Sequence, residues 1–197
     1  MTDSPASQAE AVQARPGKQE RLVAAAIRLL HQQGIERTTL ADIAAAADVP
    51  AGNVYYYFKT KDEIIAAAID AHARQIMATL AGIDSTYRSP KSRLKALVRE
   101  LAGQSELVAQ YGCPLGSLCS ELDKRGAQSD LNVSVLMRLP IEWAEQQFRN
   151  LGLPNAHDLA FDLLAAYEGN ALLANAMRDS GVLSGAARRI ENWIDTL

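Results

Sequence analysis

The chain is poor in the residues that build metal centres, disulfides and membrane spans, and each scarcity removes a class of protein. Of its 197 residues only two are cysteine and three are histidine. Cys113 and Cys119 match neither zinc-finger nor Cys-x-x-Cys spacing. His31, His72 and His157 are scattered along the chain, so no metal site is expected. No histidine lies near either cysteine in sequence, which leaves a thiol enzyme without an evident base. Apolar runs stay well short of the ~18 residues that a membrane-spanning helix needs. The N-terminus lacks the apolar core of a signal peptide, and a cytoplasmic location is the resulting expectation. Runs of β-branched residues and alternating apolar–polar patterns are scarce, which argues against a sheet. Basic residues are not in excess either. Twenty Lys and Arg against 23 Asp and Glu give a net charge of −3, so any contact with a polyanion must come from a local patch.

What the chain has in quantity is alanine and leucine. Residues of apolar type make up 48% of it, enough for a well-packed core, and the helix-favouring composition predicts an all-α protein. Residues 1–17 are rich in Ala, Ser, Gln and Pro without periodicity and read as a disordered arm. A first helix is expected from Lys18 to about Gln33, with Val23, Ile27 and Leu30 on one face and Gly34 as its stop.

The stretch Thr38–Lys61 is the most informative. Thr39 and Asp42 have the spacing of a capping box and open a short helix with Leu40, Ile43, Ala44 and Ala47 facing inward. Asp48-Val49-Pro50 makes a turn. A second short helix, about Ala51 to Phe58, carries Tyr55, Tyr56 and Tyr57 in succession. Three adjacent positions span most of a helix's circumference, so these tyrosines cannot all be buried. With Val54 and Phe58 as buried anchors, Gly52, Asn53, Tyr56 and Tyr57 are expected to face outward, and Tyr55 to be as much structural as functional. Such a helix suits a groove of DNA. Asn53 offers the amide pair that matches adenine, and Gly52 allows close backbone approach. Thr60 and Glu63 form a second capping box, and a helix N-terminus beside Lys61 favours a phosphate. That helix is expected to run to about Ala81.

Further helices are expected from Ser89-Pro90, from Ser117 to Lys124, from about Asp130 to Asn150 with a kink or split at Pro140, from Asn155 to Asp179, and from Ser184 to the end. The segment 155–179 is apolar nearly all round and needs cover on more than one side. Its polar members Glu168 and Asn170 are expected to face a pocket or to pin a dimer.

The pattern Thr-Thr, Asp-Ile-Ala, Gly-Asn-Val-Tyr-Tyr-Tyr-Phe, Lys-Thr-Lys over about Gln19 to Ile65 resembles the DNA-binding signature of the TetR/AcrR family of bacterial transcriptional regulators. Tyr167-Glu168-Gly169-Asn170-Ala171-Leu172-Leu173-Ala174 is similar to that family's dimer-forming helix. The resemblance implies three divisions: the arm 1–17, a three-helix helix-turn-helix domain over 18–64, and a helical ligand-binding and dimerisation domain over 65–197. It implies phosphate contacts at Thr39, Tyr56 and Lys61, a groove lining of Gly52, Asn53 and Tyr57, and a typical signature aromatic at Tyr55. It also implies a pocket for a small-molecule effector after residue 62. The candidates are Tyr111, Cys113, Leu118, Met137, Trp143, Phe148, Phe161, Leu164, Tyr167, Glu168 and Asn170. A homodimer through the last two helices would bind a double-stranded palindromic operator. Two positions depart from the family pattern: Asp48 stands where glycine is common, and Pro50 where a serine or threonine cap is common.

The leading expectation is therefore a homodimeric DNA-binding repressor released by a small molecule, without cofactor or metal. A regulator switched by oxidants or electrophiles at Cys113 is the alternative. A small helical thiol enzyme and a non-catalytic helical scaffold are more remote.

Overall fold

The computed structural model describes residues 16–125 and 131–197. Their regular structure is ten α-helices: α1 (Lys18–Arg37), α2 (Leu40–Ala46), α3 (Ala51–Tyr57), α4 (Lys61–Thr86), α5 (Pro90–Ala102), α6 (Ser105–Tyr111), α7 (Pro114–Lys124), α8 (Val135–Asn150), α9 (Ala156–Met177) and α10 (Ser180–Thr196). The fold is all-α, as the composition predicts. The expected arm falls almost wholly outside the described residues, as does Asp130.

Local chemistry accounts for most helix starts. Ser89 caps α5 through its hydroxyl, which accepts the Ser92 N–H, and Pro90 takes the first helical position. Thr60 caps α4 by accepting the Glu63 N–H. The expected reciprocal bond lands one residue earlier, because Glu63 Oε2 accepts from the Lys59 N–H at 2.7 Å. Several boundaries differ from expectation. Gly34 is a kink rather than a stop: its φ of 80° and ψ of 171° interrupt α1, which resumes for one more turn. α4 extends five residues beyond Ala81, where Arg93 holds the carbonyls of Asp84 and Tyr87 near its end. Gly103-Gln104 breaks the run after Ser89-Pro90 into α5 and α6. α7 begins at Pro114, α8 at Val135 and α10 at Ser180. α8 runs through Pro140 without splitting.

Two larger cores organise these helices. One joins α1, α2, α3 and the start of α4 with Leu118 and Leu122 of α7 and Leu136 of α8. The other packs α5, α8, α9 and α10 around Phe148, Leu163 and Ile194. α7 thus contributes side chains to the core of the N-terminal helices although it lies far along the chain.

Candidate functional site

The α2–α3 unit is built from caps and from two arginines. Thr39 Oγ1 accepts the Asp42 N–H at 3.1 Å, and Asp42 Oδ2 accepts both the Thr39 N–H and its hydroxyl, at 3.0 and 2.7 Å. These bonds, the hydroxyl's first, hold the Asp42 carboxyl below its ordinary value. The far end of α2 closes in a left-handed turn. Asp48 has φ 53°, with its N–H on the Ala45 carbonyl and the Val49 N–H on that of Ala44. Aspartate therefore fills the place of the commoner glycine. Arg21 donates to the carbonyls of Ala47 and Asp48, and Arg28 to that of Ala46. Cations here complement the negative end of the α2 dipole. Pro50 gives α3 no side-chain cap, and its carbonyl accepts the Asn53 N–H at 2.8 Å instead.

α3 buries Val54, and Phe58 just after it, as expected. The tyrosines divide differently from the expectation. Tyr56 is 78% exposed and Tyr55 57%, whereas Tyr57 is half-buried against the N-terminal core, with its ring edge-to-face on Tyr56. Tyr55, expected to be partly structural, thus presents its ring to solvent, and Tyr57 carries the packing. The reason is angular: Tyr57 follows Val54 by three positions and shares its inward side. Gly52 is exposed, and a Cβ there would meet nothing within 4 Å. Thr39 is exposed and Asn53 half-exposed. Lys61, half-buried at the start of α4, reaches the Glu36 carbonyl at 3.4 Å, and Lys59 folds back onto the Tyr55 carbonyl.

A cavity of about 450 Å³ lies between α4, α5, α7, α8 and α9. Of the expected pocket residues it gathers Cys113, Met137, Leu164, Tyr167 and Glu168. The others lie elsewhere. Leu118 is in the N-terminal core, Phe148 in the second core, and Tyr111 edge-on to His31. Trp143 donates Nε1–H to Asp84 at 3.0 Å and packs between helices. Phe161 is half-exposed beside His157. Asn170 borders a separate groove between α9 and α10, where its side chain accepts from Arg189. The cavity also takes His72, Gln75 and Thr79 from α4, which sequence reasoning missed. Their spacing of three and seven along an apolar helical stripe is the signal that marks them.

Cys113 and Glu168 meet at the wall of this cavity. The thiol donates to Glu168 Oε1 at 3.2 Å while Sγ accepts the Gly116 N–H at 3.4 Å, capping α7. Burial first, then the neighbouring carboxylate, pushes the Cys113 thiol up to about 12. Burial raises Glu168 above the ordinary carboxyl value and lowers His72, which also faces His31. Arg125 does not serve the thiol, because it pairs with Asp62 at 2.9 Å. Burial and the Glu168 carboxylate therefore outweigh the backbone N–H groups of the α7 N-terminus and favour the protonated thiol at Cys113.

α7 then runs from the cavity to the N-terminal helices. His31 Nε2 contacts the Gly112 carbonyl at 2.8 Å just before it. Glu121 Oε2 accepts the Ile35 N–H at 2.6 Å, and Arg125 holds Asp62 at the start of α4.

A capped two-helix unit with an exposed aromatic helix, resting on a larger helical body, defines a helix-turn-helix protein. The profile described as "Bacterial regulatory proteins, tetR family" matches residues 22–68. An uncharacterised HTH-type transcriptional regulator from Lactococcus lactis subsp. lactis is 29% identical over 175 residues, 83% of this chain and 86% of that one. The HTH-type regulator TtgR of Pseudomonas putida is 42% identical over 50 residues, covering 25% of this chain and 24% of its own. The crystal structure of a TetR transcriptional regulator from Legionella pneumophila shares the fold at a TM-score of 0.81, with 23% identity over 91% of this chain and 98% of that one. Residues 22–68 thus carry the DNA-binding domain of the tetR family of bacterial regulatory proteins, and most of the chain is similar to helix-turn-helix regulators of transcription. Among the described residues no helix is long and apolar enough to cross a membrane.

Proposed function

We propose that the chain is a homodimeric repressor that reads a palindromic operator through residues 18–64 and is released by a small molecule held within residues 65–197. The observation that carries this is the double engagement of α7. Its first residues line the cavity, and its later turns hold Ile35 and Asp62 of the DNA-binding helices. A ligand that changes the start of α7 acts on both contacts, and a coupling of ~1–3 kcal/mol between such sites is typical. Exposed Thr39, Gly52, Tyr55 and Tyr56 and half-exposed Asn53 are the surface offered to DNA, with Tyr57 orienting α3 from below and Lys61 at the start of α4.

Dimerisation is supported by α9. Phe161, Leu172, Leu173 and Met177 are about half or more exposed, and Ala165 and Gly169 lie exposed among them at helical spacing. Apolar and small residues on one stripe suit a second copy of the same helix. Ala174 of the same helix is fully buried, and Trp193 of α10 packs on Phe148 and reaches the edge of the α9–α10 groove.

Footprinting on genomic fragments retained by the protein tests the proposal. Two protected half-sites centred one helical turn apart, about 34–36 Å, are expected. Leu172→Arg, which puts a charge on the α9 stripe, should yield a monomer by light scattering and lose the footprint. A single asymmetric footprint, kept by a monomeric Leu172→Arg protein, contradicts it.

A further inference from the structure

The cavity between α4 and α9 has a charge balance that selects its occupant. Among the described residues that line it are two carboxylates, Glu100 and Glu168, one histidine, His72, whose burial disfavours its charged form, and no lysine or arginine. Glu100 stands exposed at the opening, in the company of Gln75 and Gln104. Glu168 is half-buried, and its carboxylate lies against the first turn of α7. A Cβ at Gly116 would come within 2.7 Å of Glu168 Oε2, so only glycine there admits the carboxylate as it stands. The rest of the lining is mostly apolar: Ile76, Leu97, Val108, Met137 and Leu164 among others. The volume of about 450 Å³ is that of a site for a small organic molecule.

We propose that the effector is an organic cation: an apolar body carrying an amine or related positive group that pairs with Glu168. The inference rests on the cavity being the effector site and adds the chemical class of the ligand. An anion would enter a low-dielectric space that faces it with two carboxylates and no counter-charge. A neutral apolar molecule would fill the volume but leave the Glu168 carboxylate on the Cys113 thiol, with no charged partner among the cavity's described lining residues. A cation reaches Glu168 past Glu100 and satisfies the carboxylate with a charge-assisted bond. The aromatic ring of Tyr167, next to Glu168 on the same wall, offers further attraction to a positive group. The pairing also has a route to DNA. Glu168 touches the start of α7 through the Cys113 thiol, and a cation that draws the carboxylate toward the cavity loosens that hold.

Three probes with one apolar tail and different heads separate the possibilities: octylamine, protonated at pH 7, 1-octanol and octanoate. Binding to the full chain is measured by titration calorimetry. The expected order places octylamine at least about tenfold tighter than either of the others. Glu168→Gln should remove about tenfold of the octylamine affinity and leave 1-octanol binding unchanged, the latter also reporting that the variant is folded. Glu100→Gln should lower octylamine affinity by a smaller factor. If 1-octanol or octanoate binds as tightly as octylamine, the cavity is an effector site of a different class and the cation proposal fails alone. If none of the three binds, the cavity itself is not the effector site and both proposals fail.

Discussion

Glu121 Oε2 accepts the Ile35 N–H at 2.6 Å, joining α7 to α1 where α1 turns through Gly34. The two residues are 86 positions apart, and the bond supplies the acceptor that the break in α1 withholds from Ile35. Gly34 makes room for it, because a Cβ there would lie 2.9 Å from the same carboxylate oxygen. With φ 80° and ψ 171° the position is also one that side chains avoid. Gly34→Ala should cost about 1–3 kcal/mol of stability in urea unfolding. Glu121→Ala, which leaves the glycine but removes the acceptor, should cost about 1–2 kcal/mol. A Gly34→Ala protein as stable as the parent contradicts the close approach.

Tyr56 and Tyr57 should separate binding from stability. Tyr56 is 78% exposed, so Tyr56→Ala should change stability by less than about 0.5 kcal/mol. Tyr57 packs against the core beneath α3, so Tyr57→Ala should cost about 1–3 kcal/mol. Loss of DNA binding in Tyr57→Ala alone is therefore ambiguous, and Tyr56→Ala is the cleaner probe. Equal stability losses in the two variants contradict this division.

The α2 cap should make stability depend on acid. Thr39's hydroxyl and N–H lower the Asp42 carboxyl from its ordinary 3.8. A depressed carboxyl contributes its stabilisation above the unfolded-state value and loses it as pH falls through the folded one. Thr39→Val should thus unfold at a lower temperature than the parent at neutral pH, and the gap should narrow below about pH 4. A gap that stays constant from pH 7 to pH 3 contradicts the coupling.

Cys113 should be slow to react. A thiol buried and pushed up to about 12 holds little thiolate at neutral pH. Alkylation by iodoacetamide at pH 7.5 should run at least about a hundredfold slower in the folded protein than in urea. Fast folded-state labelling mapped to Cys113 would revive the thiol-switch alternative.

Much of this was legible because it is local. The Thr39–Asp42 cap, the Ser89-Pro90 start and the buried pair Val54 and Phe58 all follow from spacing within one helix. What was not legible depends on distant partners. Gly34 looks like a helix end until Glu121 catches Ile35, and no pattern near Gly34 announces a carboxylate on α7. Tyr55 and Tyr57 are indistinguishable by type, and only the packing of the body beneath α3 sets which one is covered. Tyr111, Leu118 and Trp143 are apolar or aromatic residues of the kind that lines pockets, yet each is held by a neighbour from another helix. Cys113, Met137, Leu164, Tyr167 and Glu168 line one cavity, while the polar stripe of α4 went unread. The Asp48 and Pro50 departures turned out to be backbone solutions, a left-handed turn and a carbonyl cap, that keep the α2–α3 corner closed.

The central claim is that exposed α3 reads DNA. Its most direct test is the affinity of parent and Tyr56→Ala proteins for a retained duplex, followed by fluorescence anisotropy between 50 and 200 mM salt. A DNA reader releases bound counterions, so parent affinity should fall at least about tenfold over that range. Tyr56→Ala should bind more weakly at every salt concentration while unfolding at the parent's temperature. Salt-independent binding, or equal affinity in the two proteins, would contradict the account.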